Sequence, residues 1–146
     1  MDISHGKYLG VDYGDKRTGI AECDPSGLIA SGITTVSEGG MRKTAIRVAK
    51  EAKDRNCKKI IVGLPKNMDG TEGERTEVIR AFAALLAEET DIEIDFFDER
   101  MTTMIAYRYL GETSTFGKAR KNAVDTLSAE IILQGYIDRE RAAGKK

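Results

Sequence analysis

The alternation of apolar and polar residues predicts five β-strands along the chain. The first three strands are short, and the turn Asp24-Pro25-Ser26-Gly27 separates the second from the third. Because such short connections join neighbouring antiparallel strands, they predict a three-stranded meander. The predicted strands cover residues Lys7 to Val11, Arg17 to Cys23, Leu28 to Val36, Lys59 to Gly63 and Ile92 to Phe97.

Apolar residues at helical spacing predict helices between and after the later strands. One helix runs from Met41 to about Arg55, and a second follows Thr71-Glu-Gly-Glu74, which has the form of a capping box. A short helix is expected from Thr103 to about Leu110, followed by a flexible loop from Gly111 to Gly117. The last helix is predicted from about Arg120 to Ala142. Its inward residues are expected to be Val124, Leu127, Ile131, Leu133, Tyr136 and Ile137.

The resulting order, β-β-β-α-β-α-β-α, predicts an α/β fold. A meander followed by crossover βα units gives a five-stranded mixed sheet flanked by helices. The 146 residues contain neither an internal repeat nor a linker, and this length fits one domain. We therefore expect a single domain over residues 1–146.

Composition narrows the class of protein. No apolar run approaches the roughly 18 residues of a membrane span, and the first residues lack a signal-peptide pattern, so a cytoplasmic location is expected. Cys23 and Cys57 have no metal-binding spacing and are expected to be reduced thiols. The net charge of −1 argues mildly against nucleic-acid binding, but basic residues cluster locally. These clusters are Lys16-Arg17, Arg42-Lys43, Lys58-Lys59 and Lys118-Ala-Arg120-Lys121.

Three carboxylates from separate segments are candidates for one acidic site. Asp12 follows the first strand between Gly10 and Gly14, and Asp98-Glu99-Arg100 follows the fifth strand. Asp125 lies on the last helix beside the apolar Val124. Hard cations such as Mg²⁺ prefer oxygen ligands, and metal-activated water can hydrolyse a phosphodiester without a nucleophilic side chain.

Each of these residues also has an ordinary structural explanation. A strand-end aspartate such as Asp12 is often a turn residue, Asp98-Glu99-Arg100 can form an exposed ion pair, and Asp125 can be a helix-surface charge. Alternation along a strand allows only one of Asp98 and Glu99 to face each side of the sheet. The spacing of these residues therefore leaves both interpretations open.

Four longer motifs lie in order along nearly the whole chain. They are Gly10-Val-Asp12-Tyr-Gly14-Asp-Lys16-Arg17-Thr-Gly19-Ile-Ala21, Gly63-Leu-Pro65 with Asn67-Met-Asp69-Gly70 and Gly73, Asp98-Glu99-Arg100-Met-Thr102-Thr103, and Val124-Asp125 before Ile131-Ile-Leu133 and Tyr136. Together they resemble the YqgF family, which is described as Holliday-junction resolvases or as nucleases of pre-16S ribosomal RNA. The resemblance implies a ribonuclease H-like fold.

The resemblance also implies roles for particular residues. Asp12, Glu99 and Asp125 would be the catalytic residues and the ligands of Mg²⁺ or Mn²⁺. The residues expected to contact nucleic acid are Lys16, Arg17, Arg100, Lys118, Arg120 and Lys121. Ser128 and Glu130 depart from the alanines usual in this stretch, and Glu130 adds a carboxylate near Asp125.

Three functional classes remain to be compared. The first is a nuclease acting on structured RNA in ribosome biogenesis, with four-way DNA junctions as the alternative substrate. The second is a sugar kinase or actin-like ATPase, because Asp12-Tyr-Gly14 also resembles the phosphate loop of those enzymes. They close two such domains around ATP, however, and this chain has the length of one. The third is an RNA-binding adapter without catalysis. Whether the chain forms a homodimer is left open.

Overall fold

The computed structural model describes residues 7–27, 29–65, 72–98 and 117–142, with side chains in the last range from residue 126 onward. The described residues form eight elements in the predicted order. They are β1 (Lys7–Asp12), β2 (Thr18–Cys23), β3 (Ala30–Val36), α1 (Met41–Asp54), β4 (Cys57–Leu64), α2 (Glu74–Glu89), β5 (Glu93–Asp98) and α3 (Gly117–Ala142). None of the described helices is long and apolar enough to cross a membrane.

The five strands form one mixed sheet in the order β3-β2-β1-β4-β5. The meander is antiparallel, with β1 paired to β2 and β2 paired to β3. The predicted turn between β2 and β3 is present, since the Gly27 amide donates to the Asp24 carbonyl at 2.9 Å. The β1–β4 and β4–β5 pairs are parallel because α1 and α2 make the crossovers. The predicted mixed sheet is confirmed.

Helices cover both faces of the sheet. On one face, α1 and α2 pack against a buried cluster that includes Leu9, Val11 and Val62. On the other face, α3 packs against Ala21, Ile61 and other buried residues. Two apolar layers thus enclose the central strands. Of the predicted inward residues of α3, Ile131, Leu133, Tyr136 and Ile137 are buried, Leu127 is half-buried, and the side chain of Val124 lies outside those described. Ala129 and Ile132, which were not predicted, are buried as well.

Two helix boundaries differ from the sequence prediction. The helix α2 begins at Glu74 with Gly73 as N-cap and has no side-chain cap hydrogen bond, so the predicted capping box, which would make Thr71 the N-cap, is wrong. The helix α3 begins at Gly117, three residues before the predicted start at Arg120. The predicted helix ending at Leu110 and the loop from Gly111 lie outside the described residues. Local sequence signals define helix ends less well than helix interiors, because fraying and caps shift them by a residue or two.

Both cysteines are buried free thiols, as predicted. The Cys23 sulfur accepts a hydrogen bond from the Tyr8 amide at 3.1 Å. Burial raises the pKa of Cys57 to about 11. Because the thiolate is the reactive form, both residues serve packing rather than chemistry.

Glycines let α3 approach the sheet closely. A Cβ placed on Gly10 would lie 2.7 Å from the Leu133 Cβ and 2.8 Å from the Ala129 carbonyl oxygen. A Cβ on Gly135, in the helix itself, would lie 2.6 Å from the Phe97 ring. Such distances leave no space for a methyl group, so the position of α3 depends on these glycines.

Side chains of α3 also bind the backbone of the edge strand β3. The Ala30 amide donates to Gln134 Oε1 at 2.8 Å, and the Gly32 amide donates to Glu130 Oε1 at 3.0 Å. An edge strand exposes unpaired amides, and these two bonds satisfy a pair of them. Glu130, whose role the sequence left open, therefore covers the edge of the sheet in this structure.

A partly buried network of polar side chains links α3 to β4 and β5. The Lys59 ammonium donates to the Tyr136 hydroxyl at 2.8 Å, and that hydroxyl donates to Asp95 Oδ2 at 2.9 Å. The Tyr136 side chain is fully buried. Burial, and to a smaller extent the hydrogen bond to Asp95, raise the pKa of Tyr136, while the hydrogen bond from Lys59 opposes this rise. The same lysine lies 5.5 Å from the centre of the Tyr8 ring. This network holds α3 across β4 and β5.

Removing the Tyr136 hydroxyl should therefore cost stability without creating a cavity. We expect Tyr136→Phe to lower the free energy of unfolding by about 1–3 kcal/mol, because Lys59 and Asp95 both lose a buried hydrogen bond. Urea denaturation measures this change. Tyr8→Phe is the matched control, since its ring lies edge-on to that of Tyr136, and should change stability by less than about 0.5 kcal/mol. Equal effects of the two substitutions would contradict this role for the polar network.

Candidate active site

Asp12 is the last residue of β1 and lies on the α3 side of the sheet. Leu9 and Val11 point into the core beneath α1 and α2, whereas Gly10 faces Leu133 of α3. Since side chains alternate along a strand, Asp12 shares the face of Gly10. Its side chain is half-buried at the carboxyl end of the strand. The carboxyl end of β1 therefore carries a carboxylate on the face of the sheet that α3 covers.

The β1–β2 turn that follows Asp12 is tight. The Gly14 amide donates to Thr18 Oγ1 at 3.4 Å, and a Cβ on Gly14 would lie 2.2 Å from the Arg17 carbonyl oxygen. Only glycine fits such a close backbone approach. Lys16 and Arg17, the predicted phosphate contacts, are exposed on this turn. They lie within a few residues of Asp12, as their position in the motif suggested.

The first turn of α2 contacts the loops that follow β1 and β4. Arg75 donates from Nη2 to the Tyr13 carbonyl at 2.6 Å and from Nη1 to Asp15 Oδ1 at 3.2 Å. The Thr76 hydroxyl donates to the Pro65 carbonyl. Sequence reasoning missed Arg75, because no local pattern separates it from the other arginines of the chain. Its proximity to Asp12 arises from the crossover that brings α2 back to this edge of the sheet.

The Tyr13 ring occupies the space between the turn and α2. It is 7% exposed and stacks on Phe82, with ring centroids 4.5 Å apart and an interplanar angle of 25°. Burial, and then the nearby Asp15 carboxylate, raise the pKa of Tyr13, while Arg75 opposes this rise. The backbone immediately after Asp12 is thus held by an aromatic contact as well as by hydrogen bonds.

Asp98 ends β5 on the other side of the sheet from Asp12. Phe96 and Asp98 pair with Val62 and Leu64, which belong to the core beneath α1 and α2. By contrast, Asp95 bonds to Tyr136 on the α3 side. Of the acidic pair at the end of β5, Asp98 therefore does not share the face of Asp12. Glu99 and Arg100 lie outside the described residues.

The backbone of α3 places Asp125 near the same edge of the sheet. Gln134 bonds to Ala30 and Glu130 bonds to Gly32, so the helix runs antiparallel to β3 and its earlier residues lie toward the carboxyl end of β3. Since β1 and β3 run in the same direction, Asp125 lies toward the carboxyl end of β1 as well. It precedes the buried Ala129 by one helical turn. The side chains of Lys118, Arg120, Lys121 and Asp125 are not among those that the structure describes.

The Asp12 carboxylate is a suitable ligand for a hard divalent cation. Asp12 offers carboxylate oxygens beside a glycine turn, and such oxygens are the ligands that Mg²⁺ and Mn²⁺ prefer. Within the described side chains, no three histidine, cysteine, aspartate or glutamate residues form a group that could hold a metal ion. Two of the three predicted ligands, Glu99 and Asp125, fall outside that set of side chains.

Comparison with known families identifies the family of this chain. The RuvX family model, described as Holliday junction resolvase, matches residues 6–139. This chain belongs to the RuvX family. The match covers β1, β5 and most of α3, and therefore includes every element on which the candidate site depends. RuvX is the same family as YqgF and is a nuclease family, so the predicted family and enzyme class, a hydrolase acting on ester bonds, are confirmed.

Relatives in the RuvX family share most of their length with this chain. A protein of Clostridioides difficile, named as a candidate pre-16S rRNA nuclease, is 41% identical over 133 residues, which are 91% of this chain and 94% of the relative. A protein of Clostridium novyi with the same name is 42% identical over 132 residues, or 90% of this chain and 98% of the relative. A third, from Crocosphaera subtropica, is 36% identical and covers 92% of this chain and 94% of the relative.

Solved structures confirm the ribonuclease H-like fold. Thermus thermophilus RuvC in complex with a Holliday junction substrate gives a TM-score of 0.57 at 11% identity, covering 94% of this chain and 97% of RuvC. Fowlpox virus resolvase with Holliday junction DNA gives 0.56 at 11% identity, covering 91% and 97%. At such low identity these structures show the fold of this RuvX-family chain, and the choice of substrate requires separate support.

Proposed function

We propose that this protein is a metal-dependent nuclease that hydrolyses phosphodiester bonds in structured nucleic acid, with pre-16S ribosomal RNA as its substrate. The position of Asp12 carries this proposal. Its half-buried carboxylate lies at the carboxyl end of the central strand, on the face covered by α3. The names of the relatives, at about 40% identity over nearly the whole chain, support ribosomal RNA as the substrate. The cytoplasmic location and the single domain expected from the sequence remain predictions.

Asp12, Glu99 and Asp125 are the residues proposed to hold the metal. The alternation along β5 supports Glu99 over Asp98, because Asp98 lies on the α1–α2 side of the sheet. When bound, a divalent cation activates water and stabilises the leaving oxygen of a phosphodiester. Asp12 would contribute a fixed negative charge and oxygen ligands at the end of β1.

Basic residues around this edge are proposed to bind the phosphates of the substrate. Lys16 and Arg17 are exposed on the turn next to Asp12, which supports direct access to a phosphate backbone. Arg100, Lys118, Arg120 and Lys121 are proposed from the sequence motifs alone. Because such contacts release counterions from nucleic acid, binding should weaken as salt concentration rises. A local basic surface would offset the net charge of −1.

A second candidate substrate is a four-way DNA junction. The description of the RuvX family and the two junction-bound resolvase structures favour this alternative. The third class, an RNA-binding adapter, would keep the fold without catalysis. The ATPase class is not favoured, because the family assignment covers the Asp12 motif and places it in a nuclease family.

A cleavage panel tests the proposal directly. The protein is incubated with labelled pre-16S RNA, single-stranded RNA and four-way DNA junctions, each with Mg²⁺, Mn²⁺ or EDTA. We expect metal-dependent cleavage of the RNA precursor and at least about a 100-fold loss of rate in EDTA, because metal-activated water provides the nucleophile.

The other outcomes of the panel distinguish the alternative substrate and the alternative class of protein. Cleavage of junctions alone would replace the RNA substrate by DNA, and binding without cleavage in any metal would support the adapter class. Full activity in EDTA would remove the metal mechanism. A thermal-shift measurement with ATP provides an independent check, since an ATPase would be stabilised by its ligand.

A further inference from the structure

One guanidinium group of α2, that of Arg75, forms hydrogen bonds to the segment directly after Asp12. The two hydrogen bonds from Arg75 end on Tyr13 and Asp15, which lie on either side of Gly14. The Arg75 guanidinium carbon also lies 5.7 Å from the centre of the Tyr13 ring. A single side chain thus bonds to the backbone at Tyr13 and to the carboxylate of Asp15, and it lies over the Tyr13 ring that stacks on Phe82.

The chemistry of arginine explains why this attachment is stiff. Its planar group presents several donors in a fixed fork, whereas a lysine ammonium is a compact charge on a flexible stem. The bond to the Tyr13 carbonyl is short, and hydrogen bonds from a charged donor are stronger than those between neutral groups. Tyr13 is covalently joined to Asp12, so a shift of the Tyr13 peptide also turns the Asp12 side chain.

We propose that Arg75 is a positioning residue that orients Asp12 for metal binding by holding the Tyr13–Asp15 segment against α2. This inference rests on the proposed function, because it assigns Asp12 to the metal site. Arg75 acts through the backbone next to the ligand. Contact with the substrate phosphates is assigned to Lys16 and Arg17, which are exposed on the same turn.

Arg80 provides a matched control for Arg75. Both arginines lie on α2, and their side chains are similarly exposed, 42% for Arg75 and 48% for Arg80. Arg80 also forms a two-point interaction, with Glu72 at 3.0 and 2.7 Å, and lies 5.3 Å from the Phe96 ring. Its contacts do not include the β1–β2 turn. Arg75→Ala and Arg80→Ala therefore each remove one positive charge and one surface ion pair.

Three measurements on the full chain test the inference. Amide hydrogen exchange should be at least about 10-fold faster at residues 14–18 in Arg75→Ala than in wild type, because local opening becomes easier. Calorimetry with Mn²⁺ should show about 10-fold weaker binding, the lower range seen when partners of metal ligands are removed. Cleavage kinetics should show a lower kcat with KM for the substrate unchanged. Arg80→Ala should match wild type in all three.

Arg75→Lys separates geometry from charge. We expect it to behave like Arg75→Ala in hydrogen exchange and metal affinity, because one ammonium group cannot reproduce the fork. Full rescue by lysine would overturn the positioning role and leave only an electrostatic one. A higher KM with normal metal affinity would also overturn it, since that result indicates direct substrate contact.

The proposed function and this inference can fail separately. If wild type binds Mn²⁺ but cleaves no substrate, the proposed nuclease activity fails, while hydrogen exchange and Mn²⁺ affinity still test Arg75. If wild type cleaves and Arg75→Ala equals it in every measurement, the inference fails and the nuclease activity stands.

Discussion

Asp12→Asn should reduce metal-dependent cleavage by about 100-fold or more while the protein stays folded. The substitution preserves side-chain size but removes the negative charge at the carboxyl end of β1. Loss of a residue that only supports a metal ligand lowers metal affinity or activity by about 10- to 100-fold, so loss of a ligand should lower activity at least as much. Thermal unfolding should be unchanged or occur at a slightly higher temperature, because the proposed carboxylate ligands would repel each other when no metal is bound.

The control for this substitution is Asp91→Asn. Asp91 is exposed just before β5, at the end of that strand opposite Asp98, so its charge is removed far from the site. Asp15→Asn is less suitable, because Asp15 accepts a hydrogen bond from Arg75. Glu99→Gln and Asp125→Asn should have the same effect as Asp12→Asn. Wild-type cleavage by the folded Asp12 variant would remove this residue from the site and favour the adapter class.

Gly10→Ala should destabilise the fold by about 2–3 kcal/mol, in the range of overpacked cores. The added methyl group would meet a Leu133 Cβ and an Ala129 carbonyl, and neither atom is the end of a flexible side chain. Relief therefore requires α3 to move away from β1. Because α3 also carries Asp125, cleavage by the folded fraction should fall as well. Urea denaturation and cleavage assays at a temperature below unfolding measure the two effects.

Gly40→Ala is the matched control for Gly10→Ala. A Cβ on Gly40 would meet no atom within 4 Å. As the N-cap of α1, Gly40 tolerates alanine at a cost below about 1 kcal/mol, and reduced freedom of the unfolded chain partly offsets this cost. Equal stability of the Gly10 and Gly40 variants would show that α3 does not depend on this close contact.

Sequence patterns predicted the strands better than the boundaries of the helices. Strand β4 contains the β-branched run Ile60-Ile61-Val62 and ends near a glycine, and the meander has a strong turn signal, so both patterns favour strands. The start of α2 depended on a capping-box motif at Thr71, but Gly73 caps the helix without a side-chain bond. A motif of four residues occurs by chance more often than an alternating strand, and tertiary contacts choose among nearby helix starts.

The sequence by itself determined the order of the elements, the mixed sheet and the family, because these depend on local patterns and on motifs that can be recognised without a structure. The side of the sheet that Asp98 faces, the partner of Glu130 and the contact of Arg75 with Tyr13 were decided only by the tertiary structure. Each joins residues far apart in the chain: Glu130 meets Gly32, and Arg75 meets Tyr13. Such pairs depend on strand register and on the position of a packed helix. No pattern within one segment of the chain contains that information.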